Sequence, residues 1–262
     1  MKRPGSLSRV SLIVITYNEE DNIERCLAST GDVGEMIVVD SFSDDATVEK
    51  ARRLGARIYQ RAFVSAADQK NWAIDQAQQD WILILDADEA LSPELKEEIA
   101  NAIEDTATDG FWLRRRNEFF GQRIRFCGWR NDHVLRLFRR GKGHYPERAV
   151  HERLSLDGYA RRLSGFLEHR PYRNMADYVD RMKSYSRRGA EELLRENKKW
   201  FPAIVTHPGA RFLRMYILQL GFLDGAAGFL LCVMASVSVF FKYATLRELA
   251  KERNLVGGGE GG

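Results

Sequence analysis

The chain has 262 residues, of which 44% are hydrophobic and 29% charged, with a formal net charge of +3. This is the balance of a folded protein, long enough to bury a sizeable core in one large domain or in one domain with an appendage. Three widely separated cysteines, Cys26, Cys127 and Cys232, give neither metal-ligand spacing nor a disulfide framework, so a reducing compartment is expected.

The N-terminal stretch Met1–Arg9 is polar and lacks the apolar core of a secretory leader. Residues 10–15 form the first expected buried strand, ending at Thr16-Tyr17-Asn18-Glu19-Glu20. A helix follows over about 21–29, with Asn18 or Asp21 as its cap. A second strand over 35–39 again ends in an acid, Asp40, and the loop Ser41-Phe42-Ser43-Asp44-Asp45 leads into a helix over 46–54 capped by Asp44 or Asp45. Gly55 closes that helix. A short strand over 57–60 and a helix over 66–76, capped by Ser65, complete the alternation before Trp81-Ile82-Leu83-Ile84-Leu85-Asp86-Ala87-Asp88-Glu89. The apolar part of that run has the composition of a strand buried on both faces. Strands alternating with helices over short connections predict a parallel sheet wound right-handedly. Successive strands ending in polar or acidic residues place those residues on one edge, where ligands bind in open α/β sheets.

Beyond Asp88, Ser92-Pro93 opens a helix over 93–103. Strands are expected over 111–115 and 134–138, within an aromatic stretch carrying Phe126, Trp129 and Tyr145; these rings either stack on a sugar or close a small core. After Val150-His151-Glu152 come a strand over 153–155 and a turn at Asp157-Gly158. Apolar residues at helical spacing predict an amphipathic helix over 174–197, and a further helix over 210–220 follows Pro202 and Pro208. Residues 226–241 carry no charge, but sixteen residues fall short of the roughly 20 that a bilayer crossing needs. A helix in the membrane interface and a buried helix both fit better than a span, and flanking basic and aromatic residues favour the interface. The expected divisions are 1–165, an α/β domain carrying the acidic sheet edge; 166–256, a helical region suited to a membrane interface; and 257–262, a flexible glycine-rich tail.

Two carboxylates one residue apart at a sheet edge can hold a hard cation and through it a diphosphate, so a nucleotide-diphosphate sugar is the ligand class considered. Tyr17 and Glu19 can contact base or ribose, Asp40 can accept from a base N–H, and Lys70 can reach phosphate or ribose. Asp88 can hold Mg²⁺ or Mn²⁺ bridging two phosphates, with Asp86 binding the ribose or assisting the metal. A general base must activate the acceptor hydroxyl. Glu152 is favoured for it, with His151 as a metal or phosphate ligand; the reverse assignment stays open. Basic runs such as Arg114-Arg115-Arg116 and Arg187-Arg188 are either solvated or in contact with phosphates of a nucleotide, a lipid or a membrane surface.

Val14 to Glu20, Val39 to Thr47 and Asp86-Ala87-Asp88-Glu89 resemble glycosyltransferase family 2, which has the GT-A fold, a Rossmann-like, mostly parallel α/β sheet flanked by helices. Val150-His151-Glu152, Gly221 to Gly225 and Phe241-Lys242-Tyr243 resemble the bacterial lipopolysaccharide-core β-1,4-glucosyltransferase subgroup. The resemblance adds Thr16, Ser43 and Ala87 to the donor-binding set. It implies inverting, metal-dependent transfer from a nucleotide sugar, with UDP-glucose the expected donor. It also implies a lipid-linked saccharide acceptor, with a C-terminal helical appendage holding the protein peripherally on the cytoplasmic face of the bacterial inner membrane. No nucleic-acid partner is expected. Against the wider family, the Glu-Asp base motif is replaced by His151-Glu152, and a Gln-x-x-Arg-Trp sequence is missing, which argues against a processive synthase. The competing readings are transfer to another lipid-linked or protein acceptor, a sugar-phosphate nucleotidyltransferase, and a non-catalytic membrane adaptor. The loop after the first strand, acidic and without glycine, disfavours the nucleotidyltransferase.

Overall fold

The computed structural model describes residues 6–146 and 153–257, the last four without their side chains. In chain order the elements begin with β1 (Leu7–Thr16), α1 (Ile23–Thr30), β2 (Val33–Asp40), α2 (Thr47–Arg53), β3 (Arg57–Gln60), α3 (Ala66–Gln76) and β4 (Trp81–Asp86). They continue with β5 (Glu89–Leu91), α4 (Pro93–Ala102), β6 (Gly110–Phe119), β7 (Gln122–Arg123), β8 (His133–Arg139), β9 (Gly143–His144), β10 (Ser155–Leu156) and β11 (Ala160–His169). Three long helices close the chain: α5 (Met175–Arg195), α6 (Ala203–Leu213) and α7 (Gly225–Gly257). A π-helical turn (Arg214–Leu218) and a 3₁₀ turn (Gly221–Asp224) join the last two.

The chain divides into two compact units, residues 1–116 with 131–170, and residues 117–130 with 171–262. In the first, the main sheet runs β3-β2-β1-β4-β8-β6-β11-β5. The first four strands are parallel, as the alternation predicts. Thr16 lies opposite Asp40 and Ile15 opposite Asp86, so the ends of β1, β2 and β4 share one edge. Beyond β4 the pairing turns antiparallel, through β8 and β6. The fold is therefore the expected α/β class. Its strands are buried on both faces: Leu12, Val14, Leu83 and Leu85 pack towards α1 and α4, while Ile13, Ile37, Ile82 and Ile84 pack towards α3. Burying such side chains stabilises the unit by about 1.5–3 kcal/mol each before chain entropy is charged against it.

Several boundaries differ from the sequence reading for local reasons. Helix α1 begins after Asn22 rather than after Asn18 or Asp21, and Asn22 makes no side-chain capping bond. Asn18 instead adopts a left-handed conformation at φ 53°, and its side-chain oxygen accepts from the Asp44 N–H at 3.1 Å. Asp45 does serve the start of α2, accepting from the Thr47 N–H at 2.9 Å. Ser65 and Ser92 cap α3 and α4 as expected, accepting from Asp68 N and Leu95 N. The expected strand over 153–155 is replaced by the short β10; β5, β7 and β9 were not foreseen, nor was the long β11, where Leu163 and Leu167 are buried two steps of period two apart.

In the second unit α7 lies along α5 and α6. Tyr178 Oη is 3.2 Å from Ser238 Oγ, Ser186 Oγ donates to the Ser238 carbonyl, and Ser236 Oγ donates to the Pro208 carbonyl at 2.7 Å. Phe119, Tyr172 and Tyr178 form an edge-on aromatic cluster in its core. Asn174 caps α5 by accepting from Asp177 N at 3.0 Å. Helix α6 starts seven residues before the expected helix and accommodates Pro208 inside it. Helix α7 runs on past Lys242-Tyr243, where the sequence reading ended it.

Candidate active site

Four parallel strands deliver their polar ends to one edge. At the end of β1, Thr16 is buried and Tyr17 is exposed. The Glu19 N–H donates to Thr47 Oγ1 at 2.8 Å, and its carboxylate accepts from the Asn22 side chain at 2.7 Å. Glu19 thus fixes the turn into α1 as well as lying at the rim. At the end of β2, Asp40 is fully buried and accepts from both the N–H and the hydroxyl of Ser43, while Ser43 Oγ accepts from Asn18 N at 2.9 Å. Asp40 and Ser43 therefore set the shape of the loop.

At the end of β4 lies an ionic cluster in which Lys70, Glu89 and Arg136 are buried and Asp86 and Arg115 half-buried. Lys70 Nζ, projected from the first turns of α3, is 3.2 Å from Asp86 Oδ1. The other carboxylate oxygen, Oδ2, pairs with Arg136 and stands 3.5 Å from Arg115. Glu89, also fully buried, pairs with Arg115 at 2.6 Å and Arg136 at 3.2 Å, and accepts the Asp86 N–H at 2.9 Å. Burial alone would raise the Asp86 carboxyl, but Arg136, Lys70 and Arg115 outweigh it and hold it well below the usual range. Burial likewise works against the charge on Arg136, yet Asp86 and Glu89 push its guanidinium well above its ordinary value. Ala87, buried between the two aspartates, lets the chain turn closely there.

Asp88 faces a different neighbour. Its carbonyl accepts from Arg25 at 2.5 Å and from the Arg170 N–H at 3.1 Å. Its carboxylate Oδ1 lies 3.7 Å from His169 Nε2. The antiparallel pairing of β11 with β5, with His169 opposite Glu89, brings that imidazole to the acidic turn. His169 was missed in the sequence reading. Its signal was the alternation Leu163, Gly165, Leu167, His169, which marks a strand ending at the histidine.

Asp86 and Asp88 thus sit together but in different company, one saturated by three cations and the other beside an imidazole. Among the described residues no group of three His, Cys, Asp or Glu side chains could by itself hold a metal ion. A hard divalent cation that takes one or two protein ligands and completes its shell with substrate phosphates and water still fits Asp88 with His169. His151 and Glu152, the expected metal ligand and base, lie outside the described residues. Of the aromatics, Tyr145 is buried under Lys70, whose ammonium is 5.3 Å from the ring centroid. Trp129 packs partly buried against the core of the second unit.

The profile of the family described as glycosyl transferase family 2 matches residues 11–194. That span covers most of the chain and the whole parallel edge, and the chain belongs to this family. It is a glycosyltransferase with a nucleotide-sugar-binding fold. It is 28% identical to the lipopolysaccharide core biosynthesis glycosyltransferase LpsC of Rhizobium meliloti, over 90% of this chain and 91% of that protein. It is 27% identical to an uncharacterized glycosyltransferase of Rickettsia typhi, over 95% and 91%. Among solved structures, S. aureus TarS 1–349 in complex with UDP-GlcNAc is similar at a TM-score of 0.49 and 17% identity, covering 93% of this chain and 92% of that one.

Proposed function

We propose that the protein is an inverting, metal-dependent hexosyltransferase that moves glucose from UDP-glucose to a lipid-linked saccharide such as lipopolysaccharide core. The observation that carries this reading is the pairing of Asp88 with His169 beside the charge-saturated Asp86. Asp86 and Glu89 are paired with Lys70, Arg115 and Arg136, while Asp88 faces His169. A divalent cation brought in with a nucleoside diphosphate sugar, which carries two negative charges, adds no net charge to the edge. Neither would be favoured alone at such a site.

In this reading Asp88 and His169 hold Mn²⁺ or Mg²⁺, whose chemical contribution is to take up the charge that develops on the departing diphosphate. Asp86 is a positioning residue for Lys70 rather than a ligand, because a metal would have to approach against three cations. Thr16, Tyr17, Glu19, Asp40, Ser43 and Ala87 line or shape the base and ribose end. Glu152 takes the proton from the acceptor hydroxyl, whose oxygen bonds to the anomeric carbon as the carbon–oxygen bond to the diphosphate breaks. His151 is the alternative base.

The acceptor is supported by the printed role of LpsC, and the membrane surface by the second unit. The helix Gly221–Arg253 is long and apolar enough to cross a membrane, with only 28% of its most apolar window buried. Its latter half lies along α5, which carries Asp180, Lys183, Arg187 and Arg188 exposed. A crossing would draw those charges into hydrocarbon, which supports an interfacial position over a span. Exposed Leu213, Ile217, Leu218, Phe229, Phe240 and Phe241 supply the apolar face, and Arg211, Arg214 and Lys242 the attraction to anionic lipid. In this reading the protein sits peripherally on the cytoplasmic face of the inner membrane.

Calorimetry of UDP with and without Mn²⁺ tests the site. Binding should need the metal and be lost in both Asp88→Ala and His169→Ala; equal UDP affinity without Mn²⁺ would end the metal reading. A thermal-shift panel of UDP-, GDP-, ADP- and CMP-sugars tests the donor.

A further inference from the structure

Large apolar side chains stand open to solvent in a row at the donor edge. Tyr17 follows β1, Phe42 follows β2, and Phe63 and Val64 follow β3; they are 58%, 56%, 54% and 75% exposed. The strand order places these three ends side by side, next to the end of β4 with Asp86 and Asp88. An exposed apolar residue is unremarkable singly, but several following neighbouring strands at one ligand-binding edge point to a ligand.

Phe42 stands out further because of its backbone. It sits at φ 62°, in the left-handed region disfavoured for a residue with a bulky side chain. Such a conformation persists only when its surroundings impose it. They do so here: the Ser41 N–H donates to the Thr16 carbonyl at 2.9 Å, and the Ser43 N–H donates to the buried Asp40 carboxylate at 2.9 Å. Asn18 adds two further ties, donating its N–H to Ser43 Oγ and accepting from the Asp44 N–H. A fully buried carboxylate and two crossing loops thus hold a phenylalanine in a turn that suits glycine. The outcome is a phenyl ring more than half in water. Among the described residues the ring belongs to neither core cluster of its unit, whereas the flat apolar face of a ligand would cover it.

We propose that Phe42 is a nucleobase-stacking residue that acts with Tyr17 and sets affinity for the base end of the nucleotide donor. This rests on the reading of the edge as a nucleotide-sugar site and adds a residue to it. Stacking a base on an aromatic ring contributes enough to change affinity by about tenfold or more. The rest of the loop is set by Asp40 and Ser43, so the ring can be removed without removing the turn.

The test compares wild type with Phe42→Gly and Phe42→Tyr by calorimetry in Mn²⁺, using UDP and inorganic pyrophosphate as probes, together with thermal midpoints. Glycine relieves the left-handed backbone, so Phe42→Gly should keep or raise the thermal midpoint. It should weaken UDP about tenfold and leave pyrophosphate unchanged, and Phe42→Tyr should bind UDP like wild type. The proposal is overturned if Phe42→Gly binds UDP as tightly as wild type. It is equally overturned if pyrophosphate weakens in parallel, which would make Phe42 a support for the phosphate end, or if the midpoint falls, which would make the ring structural. Wild type that binds no nucleotide in Mn²⁺ would instead remove the donor-site reading, and this inference with it.

Discussion

The two compact units handle charge and apolar surface in opposite ways. In residues 1–116 with 131–170, 27 Asp and Glu outnumber 23 Lys and Arg, and the charges that matter are paired inside the sheet edge. In residues 117–130 with 171–262, 17 Lys and Arg outnumber 10 Asp and Glu. Among the described residues, most of the exposed large hydrophobic side chains also fall in this second unit. A net charge of +3 therefore hides two surfaces of opposite character. In the proposed reading the first would take a small anionic ligand that arrives with its own cation, and the second would meet anionic lipid. Substitutions in either unit should separate the two behaviours.

The largest expected effect comes from Asp88→Ala, which should weaken Mn²⁺-dependent UDP binding by about 100-fold or more in calorimetry while leaving sedimentation with anionic vesicles unchanged. Next is the ionic cluster. Arg136→Met strips a partner from both Asp86 and the fully buried Glu89. Breaking such a pair from one side costs about 3–5 kcal/mol, to be read as a drop in the urea midpoint.

The pH dependence of Asp86→Asn sharpens the same point. The folded-state carboxyl of Asp86 is depressed, because Arg136, Lys70 and Arg115 overcome the opposing effect of burial. Its contribution is therefore present above the unfolded-state value of about 3.9 and is lost as pH falls towards the folded-state value. The stability gap between wild type and Asp86→Asn should be widest near pH 7 and narrow below about pH 4, as measured by urea titrations at both pH values.

In the second unit, Phe240→Glu with Phe241→Glu places two acids on an exposed apolar face. Vesicle sedimentation should fall severalfold with UDP affinity unchanged. If UDP affinity falls instead, the division of labour between the units is wrong. The smallest effect expected is Asn174→Ala, which removes the α5 cap and should lower the urea midpoint by the equivalent of about 1 kcal/mol.

The parallel half of the fold was legible because each strand is a continuous apolar run ending in a polar residue, and each helix is announced by a capping residue or a closing glycine. Ser65, Ser92 and Gly55 all act at the places their chemistry indicates. The acidic turn at Asp86 to Glu89 was legible for the same reason. What the sequence concealed depends on partners far away in the chain. Arg115 looked like one member of a basic run, and only pairing with the buried Glu89 shows that it is half-buried and neutralised. His169 ends a strand whose hydrophobic alternation is broken by Arg161, Arg162 and a central glycine. Its importance follows from antiparallel pairing with β5, a three-residue strand too short to be read from composition. Helix α6 was placed too late because Pro202 and Pro208 suggested interruptions. In the structure Pro202 precedes the helix and Pro208 lies within it, with the Ser236 hydroxyl on its carbonyl.

Helix α3 has one consequence for how this enzyme can vary. Lys70 and Asn71 are consecutive. Lys70 binds Asp86 and covers the Tyr145 ring, while Asn71 grips the Tyr145 main chain from both sides, donating to its carbonyl at 2.7 Å and accepting from its N–H at 2.8 Å. A single-residue insertion or deletion early in this helix would swing both side chains by about 100° and unfasten two grips in one stroke. Length changes between homologous chains should therefore gather in the loop before Ser65 and spare the first two turns that follow it.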